Sequence, residues 1–198
     1  MNELSAFDIL IDNLAYLGLK PDANISNKNF IVLGNDRFLN RKYVVCALSD
    51  DIFFIASDSF GTSAYSSSTF TGLYSTINLH RDIEYKVVKR NWFDFFYTKK
   101  KRSKIGYIDK NLTILSSCWI PDKELNEQNV ELFLKLNKEY PYSLIVENDY
   151  PIHVRTLEGK KIIGLETNRW IYQKDDLIKL IETGQELIIG IKKTTNTL

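Results

Sequence analysis

Short polar turns divide two β-rich stretches of this chain, and they constrain its fold more than any other feature. Residues 49–51 form the first break, and the residue pairs 148–149, 158–159 and 167–168 form later ones. Breaks this short leave no room for a crossover helix between neighbouring strands. They therefore predict antiparallel hairpins.

The segments between these breaks are rich in β-branched and aromatic side chains, which favour strands. The first group comprises residues 30–33, 43–48, 52–56, 70–79 and 83–89, and the second comprises residues 142–147, 152–157, 161–166 and 170–173. We therefore predict a largely antiparallel sheet of about eight to ten strands in two meanders.

Three other segments have the apolar spacing of amphipathic helices. Residues 4–17 form the first, which ends at Gly18, a residue suited to the left-handed helix end. Residues 122–139 form the second, with Asn126 as a candidate cap. The third begins at Asp175, whose charge suits the positive end of the helix dipole.

Together these patterns predict an α+β fold in which an N-terminal, a central and a C-terminal helix accompany the sheet. A chain of 198 residues can bury a substantial core as one domain, 1–198. A helix followed by strands occurs in both halves, so the alternative is a two-lobe arrangement with a seam near residues 99–103.

The charges of the chain almost cancel. Twenty-six lysines and arginines stand against 25 acidic residues, which leaves a formal charge of +1. No global field therefore draws the protein to nucleic acid or to lipid, and any such attraction must be local.

The sequence favours a cytoplasmic protein. Cys46 and Cys118 both lie in apolar stretches and are expected to be buried thiols. Acidic residues interrupt the N-terminal segment, unlike a secretory signal. No apolar run reaches the length of a transmembrane helix, about 18 residues.

Few residues suit catalysis or metal binding. His80 opens a His-Arg-Asp triplet that also occurs in protein kinases, but the other kinase motifs are missing, so a polar turn is the expected role. His153 alternates with apolar residues in a predicted strand. The cysteines and histidines lack the short spacings of zinc sites. We assign no catalytic residue, no metal and no cofactor.

Three aspartates leave an enzyme as an alternative. Asp50, Asp51 and Asp58 flank one predicted strand. A carboxylate-dependent hydrolase or transferase would need these three side chains to meet at the ends of that strand. Aspartates are also common in turns, which is the plainer explanation.

The segment 57–69 is predicted to be a long serine-rich loop between two strands. It carries the aromatic residues Phe60 and Tyr65. Because binding residues concentrate on loops held by rigid sheets, this is the first candidate binding region.

The segment 89–104 is the second candidate region, since it mixes aromatic rings with positive charge. Its candidate contacts are Trp92, Phe93, Tyr97, Lys99, Lys100, Lys101 and Arg102. Rings stack on unpaired bases while cations neutralise phosphates, so the segment suits single-stranded nucleic acid or another anionic surface. The alternative is that the rings anchor a turn in the core and the basic run is solvated.

These features favour a non-catalytic binding protein, such as an adaptor or an immunity-type inhibitor, that uses its sheet surface and its loops. A protein partner is the first expectation, because exposed aromatic side chains serve as interface anchors. Nucleic acid bound through residues 89–104 is the second expectation. The sequence leaves the oligomeric state open.

Overall fold

The computed structural model describes residues 4–32, 35–61, 68–80, 82–92, 94, 100–103, 105–116, 121, 123–148 and 154–195, with the backbone alone for residues 29–32 and 35–38. The helices in this part of the chain are α1 (Ala6–Tyr16), α2 (Gly106–Asn111), α3 (Glu127–Leu136) and α4 (Lys174–Thr195). The strands are β1 (Asp22–Val32), β2 (Asn35–Ala47), β3 (Ile52–Gly61), β4 (Ser68–Thr76), β5 (Tyr85–Lys89), β6 (Lys100–Lys101), β7 (Leu112–Ser116), β8 (Tyr142–Glu147) and β9 (Ile162–Thr167).

These strands form one nine-stranded sheet in the order β1-β2-β3-β4-β9-β8-β5-β7-β6. Every pair of neighbours runs antiparallel. β4 and β9 join the two halves of the sequence, with Thr71 opposite Thr167 and Thr76 opposite Ile162. The predicted α+β class, with its antiparallel sheet and its N-terminal, central and C-terminal helices, is confirmed.

Local sequence signals set both ends of α1. The Asp8 backbone N–H donates to the Ser5 hydroxyl over 3.3 Å, and the Ser5 backbone N–H donates to Asp8 Oδ2 over 3.2 Å. This reciprocal capping satisfies amide hydrogens that the first helical turn leaves open. After the helix, Gly18 has a φ angle of +77°, which glycine adopts without steric cost.

The main hydrophobic core lies between one face of the sheet and the helices. Phe54 of β3, Leu73 of β4 and Leu165 of β9 are fully buried in it, together with Leu10 of α1 and Leu187 of α4. The side chains of one strand alternate between the two faces, so this core takes every second residue of each central strand. The helices therefore cover only one face of the sheet.

Helix α4 lies close against the sheet because Gly184 has no side chain. A Cβ atom there would lie 2.7 Å from Leu73 Cδ1 and 3.0 Å from Leu165 Cδ2. Glycine lowers helix propensity, yet α4 runs unbroken through 22 residues. No described helix, α4 included, is long and apolar enough to cross a membrane.

The opposite face of the sheet carries a smaller core around Tyr74. The ring of Tyr74 lies over Gly164 of β9, where a Cβ atom would be 2.8 Å from it. Phe53 and Ile145 belong to the same cluster, and Val154 and Leu157 cover part of it. Residues 154–160 therefore act as a partial cover of this face.

Two predicted strands are wrong in the described part of the chain. Residues 155–159 form turns, in which the Leu157 N–H donates to the Val154 carbonyl over 2.8 Å, while residues 152–153 of that predicted strand lie outside the described residues. Residues 170–173 are irregular, and Trp170 stacks on Phe7 of α1 at 6.3 Å between ring centroids. The apolar residues of both segments pack into the cores from loops. Strand propensity does not distinguish an apolar loop segment of this kind from a segment that pairs in a sheet.

The predicted loop at 57–69 is wrong at both of its ends, and residues 62–67 between them lie outside the described residues. β3 extends to Gly61 and β4 begins at Ser68, with Ser57 opposite Phe70 and Ser59 opposite Ser68. Ladder pairing holds this serine-rich stretch in strands despite its weak strand propensity. The sequence reading also missed α2, β6 and β7, all of which lie between the two predicted groups of strands.

Candidate functional site

A cavity of about 350 Å³ at the β6 edge of the sheet concentrates positive charge. It is lined by Arg90, Lys100, Lys101, Arg102, Asp109, Lys110 and Leu112. We call the five cationic residues of this lining the basic site. Arg90, Lys101, Arg102 and Lys110 are exposed and Lys100 is half-buried. None of the ion pairs found among the described residues involves any of the five.

Three separate segments meet at the basic site because of strand pairing. Lys100 pairs with Leu115 and Lys101 with Ile114, which places β6 beside β7. β5 lies on the other side of β7, and the Arg90 N–H beyond its end donates to the Asn111 carbonyl over 2.9 Å. Lys110 arrives on α2, the helix that leads into β7.

Asp109, the single carboxylate of the cavity, holds its wall together. The Ser103 N–H and hydroxyl both donate to Asp109 Oδ1, over 2.8 and 2.9 Å. The Arg90 guanidinium donates to the Asp109 backbone carbonyl. Since its carboxylate is engaged by Ser103, Asp109 fixes the segment after β6 against α2.

Trp92 lies two residues beyond Arg90, and 84% of it is exposed. A buried aspartate holds the turn that presents it: the Asn91 N–H donates to Asp94 Oδ2 over 2.9 Å, and the Thr113 hydroxyl donates to the same oxygen. Asp94 is only 2% exposed. An apolar ring of this size kept in water on an anchored turn is an available stacking surface.

The structure brings together some of the predicted contact residues and separates others. Lys100, Lys101 and Arg102 line the cavity, and Trp92 lies near its Arg90 wall in sequence. Phe60 is 60% exposed but lies on β3, six strand spacings or roughly 30 Å across the sheet from β6. Tyr65, Phe93, Tyr97 and Lys99 lie outside the described residues.

Sequence reasoning missed Lys110, Asp109 and Asp94. Lys110 and Asp109 belong to α2, a helix whose six residues are too few for a periodic signal. In the sequence, Asp94 is a single acidic residue within a basic segment. Only its burial and its hydrogen bond with Thr113 show that it anchors the turn that carries Trp92. Nothing in the local sequence distinguishes these residues from ordinary surface charges.

The three aspartates of the enzyme alternative do not meet. Asp50 and Asp51 precede β3, whereas Asp58 lies seven residues further along, roughly 23 Å in an extended strand. Asp51 pairs with Lys192 of α4, whose hydrogen bond lowers the pKa of the Asp51 carboxyl. Asp58 accepts a hydrogen bond of 2.5 Å from the Thr69 hydroxyl. Each carboxylate therefore has a separate local environment.

Among the described residues, His80 belongs to no cluster of catalytic or metal-binding side chains. His80 lies in the connection between β4 and β5, where its Nδ1 is 3.3 Å from an Asp82 oxygen and both side chains are largely exposed. His153 and Cys118 lie outside the described residues. Within the part of the chain that the structure describes, no three His, Cys, Asp or Glu residues converge as metal ligands would.

A second cavity, of about 380 Å³, lies on the open face of the sheet and has a mixed lining. It contains Lys86 and Glu166, 3.9 Å apart, with Ser143 and Phe70. Tyr74 donates its hydroxyl hydrogen to Glu166 over 3.0 Å. With one cation and one carboxylate in contact, this cavity lacks the uniform charge of the basic site.

Compared with known proteins, the chain matches no family model, no curated protein and no solved structure.

Proposed function

We propose that this chain is a non-catalytic binding protein whose ligand is single-stranded nucleic acid, held at the basic site. The observation that carries the proposal is the convergence of five cations from three chain segments on one cavity, with the exposed Trp92 two residues beyond Arg90 along the chain. Phosphates and unpaired bases need these two kinds of group together.

The basic site suits phosphates because its charge is local and accessible. The whole chain carries only +1, so the site stands out against a nearly neutral surface. Four of the five cations are exposed, so they can replace the counterions that surround a nucleic acid strand. Lys100 and Lys101 are held in register by β7, which reduces the flexibility they would lose on binding.

Trp92 favours a single strand over a duplex. Its ring is 84% exposed, and an exposed ring stacks on a base only when that base is unpaired. The cavity volume of about 350 Å³ lies within the range of small-ligand pockets, so it accommodates a unit the size of a nucleotide. A duplex would meet the same cations but leave the ring unused.

The cytoplasm is the compartment we propose for this activity. Cys46 is a buried free thiol, which is usual where the environment is reducing. Burial raises the pKa of this thiol and keeps it protonated and unreactive.

Salt-dependent binding tests the proposal. The affinity for a labelled single strand of about 15 nucleotides, measured by fluorescence anisotropy, should fall steeply between about 50 and 200 mM salt. In the triple variant Lys100→Ser/Lys101→Ser/Arg102→Ser, the slope of log K against log salt should shrink by about 2, since each lost phosphate contact removes about 0.7.

A matched variant separates local charge from total charge. Lys135, Lys138 and Lys160 are exposed and lie outside the basic site. Replacing these three by serine removes the same formal charge and should leave both affinity and salt slope nearly unchanged. Equal losses in the two triple variants, or no binding at low salt, would contradict the proposal.

A protein partner is the second candidate, and Phe60 favours it. This ring is 60% exposed at the far end of β3, where it resembles the aromatic anchors of protein interfaces. Affinity capture from cytosol with and without nuclease distinguishes the two candidates. A stoichiometric protein that survives nuclease and is lost in Phe60→Ser supports the adaptor function, whereas recovery that nuclease removes supports the basic site.

A further inference from the structure

The β1 edge of the sheet is open to another strand. β1 pairs with β2 and is the first strand of the sheet, so its outer backbone groups face away from the described strands. Residues 22–25, 27 and 28 are exposed, and Ile25 retains 51% exposure. Because successive side chains point to opposite faces, the stretch 22–28 of β1 is solvated on both faces as well as along its edge.

This edge lacks three of the features that normally prevent strand addition. Natural edge strands are protected by central charges, prolines, bulges or shortness. β1 is 11 residues long, contains no proline and pairs with β2 without a bulge, from Asp22 opposite Val45 to Val32 opposite Asn35. Its two charges, Asp22 and Lys28, flank an uncharged stretch of five residues, 23–27. Its backbone is therefore available for a new ladder.

We propose that the occupant of this edge is β1 of a second copy of the chain, in an antiparallel pair centred on Ile25. In that register Asp22 of each copy lies opposite Lys28 of the other, and Ile25 lies opposite Ile25. Residues directly opposite one another share a face, so both ion pairs form across the ladder and the exposed isoleucines contact each other. The arrangement is symmetric, as a twofold interface requires.

The charges select this register over its neighbours. Centring the pair on Ser26 would place Asp22 opposite Phe30, and centring it on Asn24 would bring Lys28 opposite Lys20. A parallel, in-register pair would bring Asp22 near Asp22 and Lys28 near Lys28, which is repulsive. The antiparallel pair about Ile25 is the arrangement in which both charged residues find opposite charges.

Charge exchange tests the dimer with the full chain. Light scattering after size exclusion should give the wild type a mass of twice 23.0 kDa. Lys28→Asp places like charges opposite each other twice by symmetry and should raise the dimer dissociation constant by about tenfold or more. Asp22→Lys should do the same, and Asp22→Lys/Lys28→Asp should restore the dimer.

Lys160→Asp is the matched control, because Lys160 is exposed in a turn away from β1. It makes the same charge change and should leave the dimer intact. Circular dichroism should give all variants the wild-type fold, since positions 22 and 28 are exposed. A monomeric wild type, a dimer insensitive to Lys28→Asp, or a folded double variant that stays monomeric would overturn the proposal.

Discussion

The two edges of the sheet differ in length and in charge. β1 is 11 residues long and uncharged between Asp22 and Lys28, whereas β6 consists of two lysines. Short length and lysines are the usual protection of an edge strand, and β6 has both. The β6 edge of the sheet therefore repels a second copy of the chain, whereas the β1 edge is complementary to one.

The comparison indicates that each edge suits a different ligand. At β6 the backbone offers little ladder, so side-chain charge decides what binds, and Arg90 and Lys110 add to it. At β1 the backbone offers a longer ladder, and Asp22 and Lys28, at the ends of the stretch paired in the proposed dimer, select the register. The proposed nucleic-acid site and the proposed dimer interface are therefore physically independent.

The largest expected effect is on the sheet that connects the two edges. Phe54→Ala leaves a cavity in the fully buried centre of β3 and should lower the free energy of unfolding by about 3–5 kcal/mol. Phe60→Ala on the same strand removes a ring that is 60% exposed and should change it by less than about 0.5 kcal/mol. Urea unfolding measures both. Two separate transitions in Phe54→Ala would mean that the edges belong to separate folding units.

The next effect tests whether the edges are independent. The triple variant Lys100→Ser/Lys101→Ser/Arg102→Ser should lose about 10- to 100-fold in affinity for a single strand at low salt and remain dimeric. Lys28→Asp should become monomeric and keep the wild-type affinity of each chain. Anisotropy and light scattering on the same preparations give both readouts. Loss of both properties in either variant would show that the edges are coupled.

A smaller effect isolates the ring from the charges at the β6 edge. Trp92→Ala should weaken binding of a single strand by about tenfold, because stacking contributes about 1–3 kcal/mol per base. The salt slope should not change, since no cation is removed. Trp92→Phe should recover part of the affinity. A changed slope in Trp92→Ala would indicate that the turn positions Arg90 instead.

The smallest effect concerns the ion pair that ties the β2–β3 turn to α4. Lys192 holds the pKa of Asp51 below its ordinary value of about 3.9, so the pair stabilises the fold above that pH and loses its effect as the pH falls through the lowered pKa. Asp51→Asn should therefore cost about 0.2–1 kcal/mol at neutral pH. Thermal melts of both proteins should converge in acid. A difference that persists below the lowered pKa would assign it to another cause.

Local signals in the sequence predict much of this fold. The bounds predicted for β8 coincide with Tyr142–Glu147, because a turn follows directly and apolar residues fill the segment. Asn126 caps α3 as predicted, accepting a hydrogen bond of 2.9 Å from the Asn129 N–H. Such signals need only neighbours along the chain, so a single sequence contains them.

The candidate site depends on information that is not local. The lysine run of β6 is visible in the sequence, but its union with Arg90 and Lys110 follows from β5 and β6 flanking β7. Phe60 and the basic segment belong to two separately predicted binding regions, and only the strand order shows that they lie far apart across the sheet. Strand order arises from tertiary packing, which propensity and periodicity do not encode.

The pairing of β4 with β9 also fixes when the protein can fold during its synthesis. The meander from β1 to β4 leaves the ribosome first, whereas β9 begins at Ile162, and elongation takes on the order of 10 s to cover the interval. Until then the β4 edge of the nascent chain has no partner, and Leu73 and Tyr74 are not yet covered. The half-made chain is therefore more prone to aggregate than the finished one.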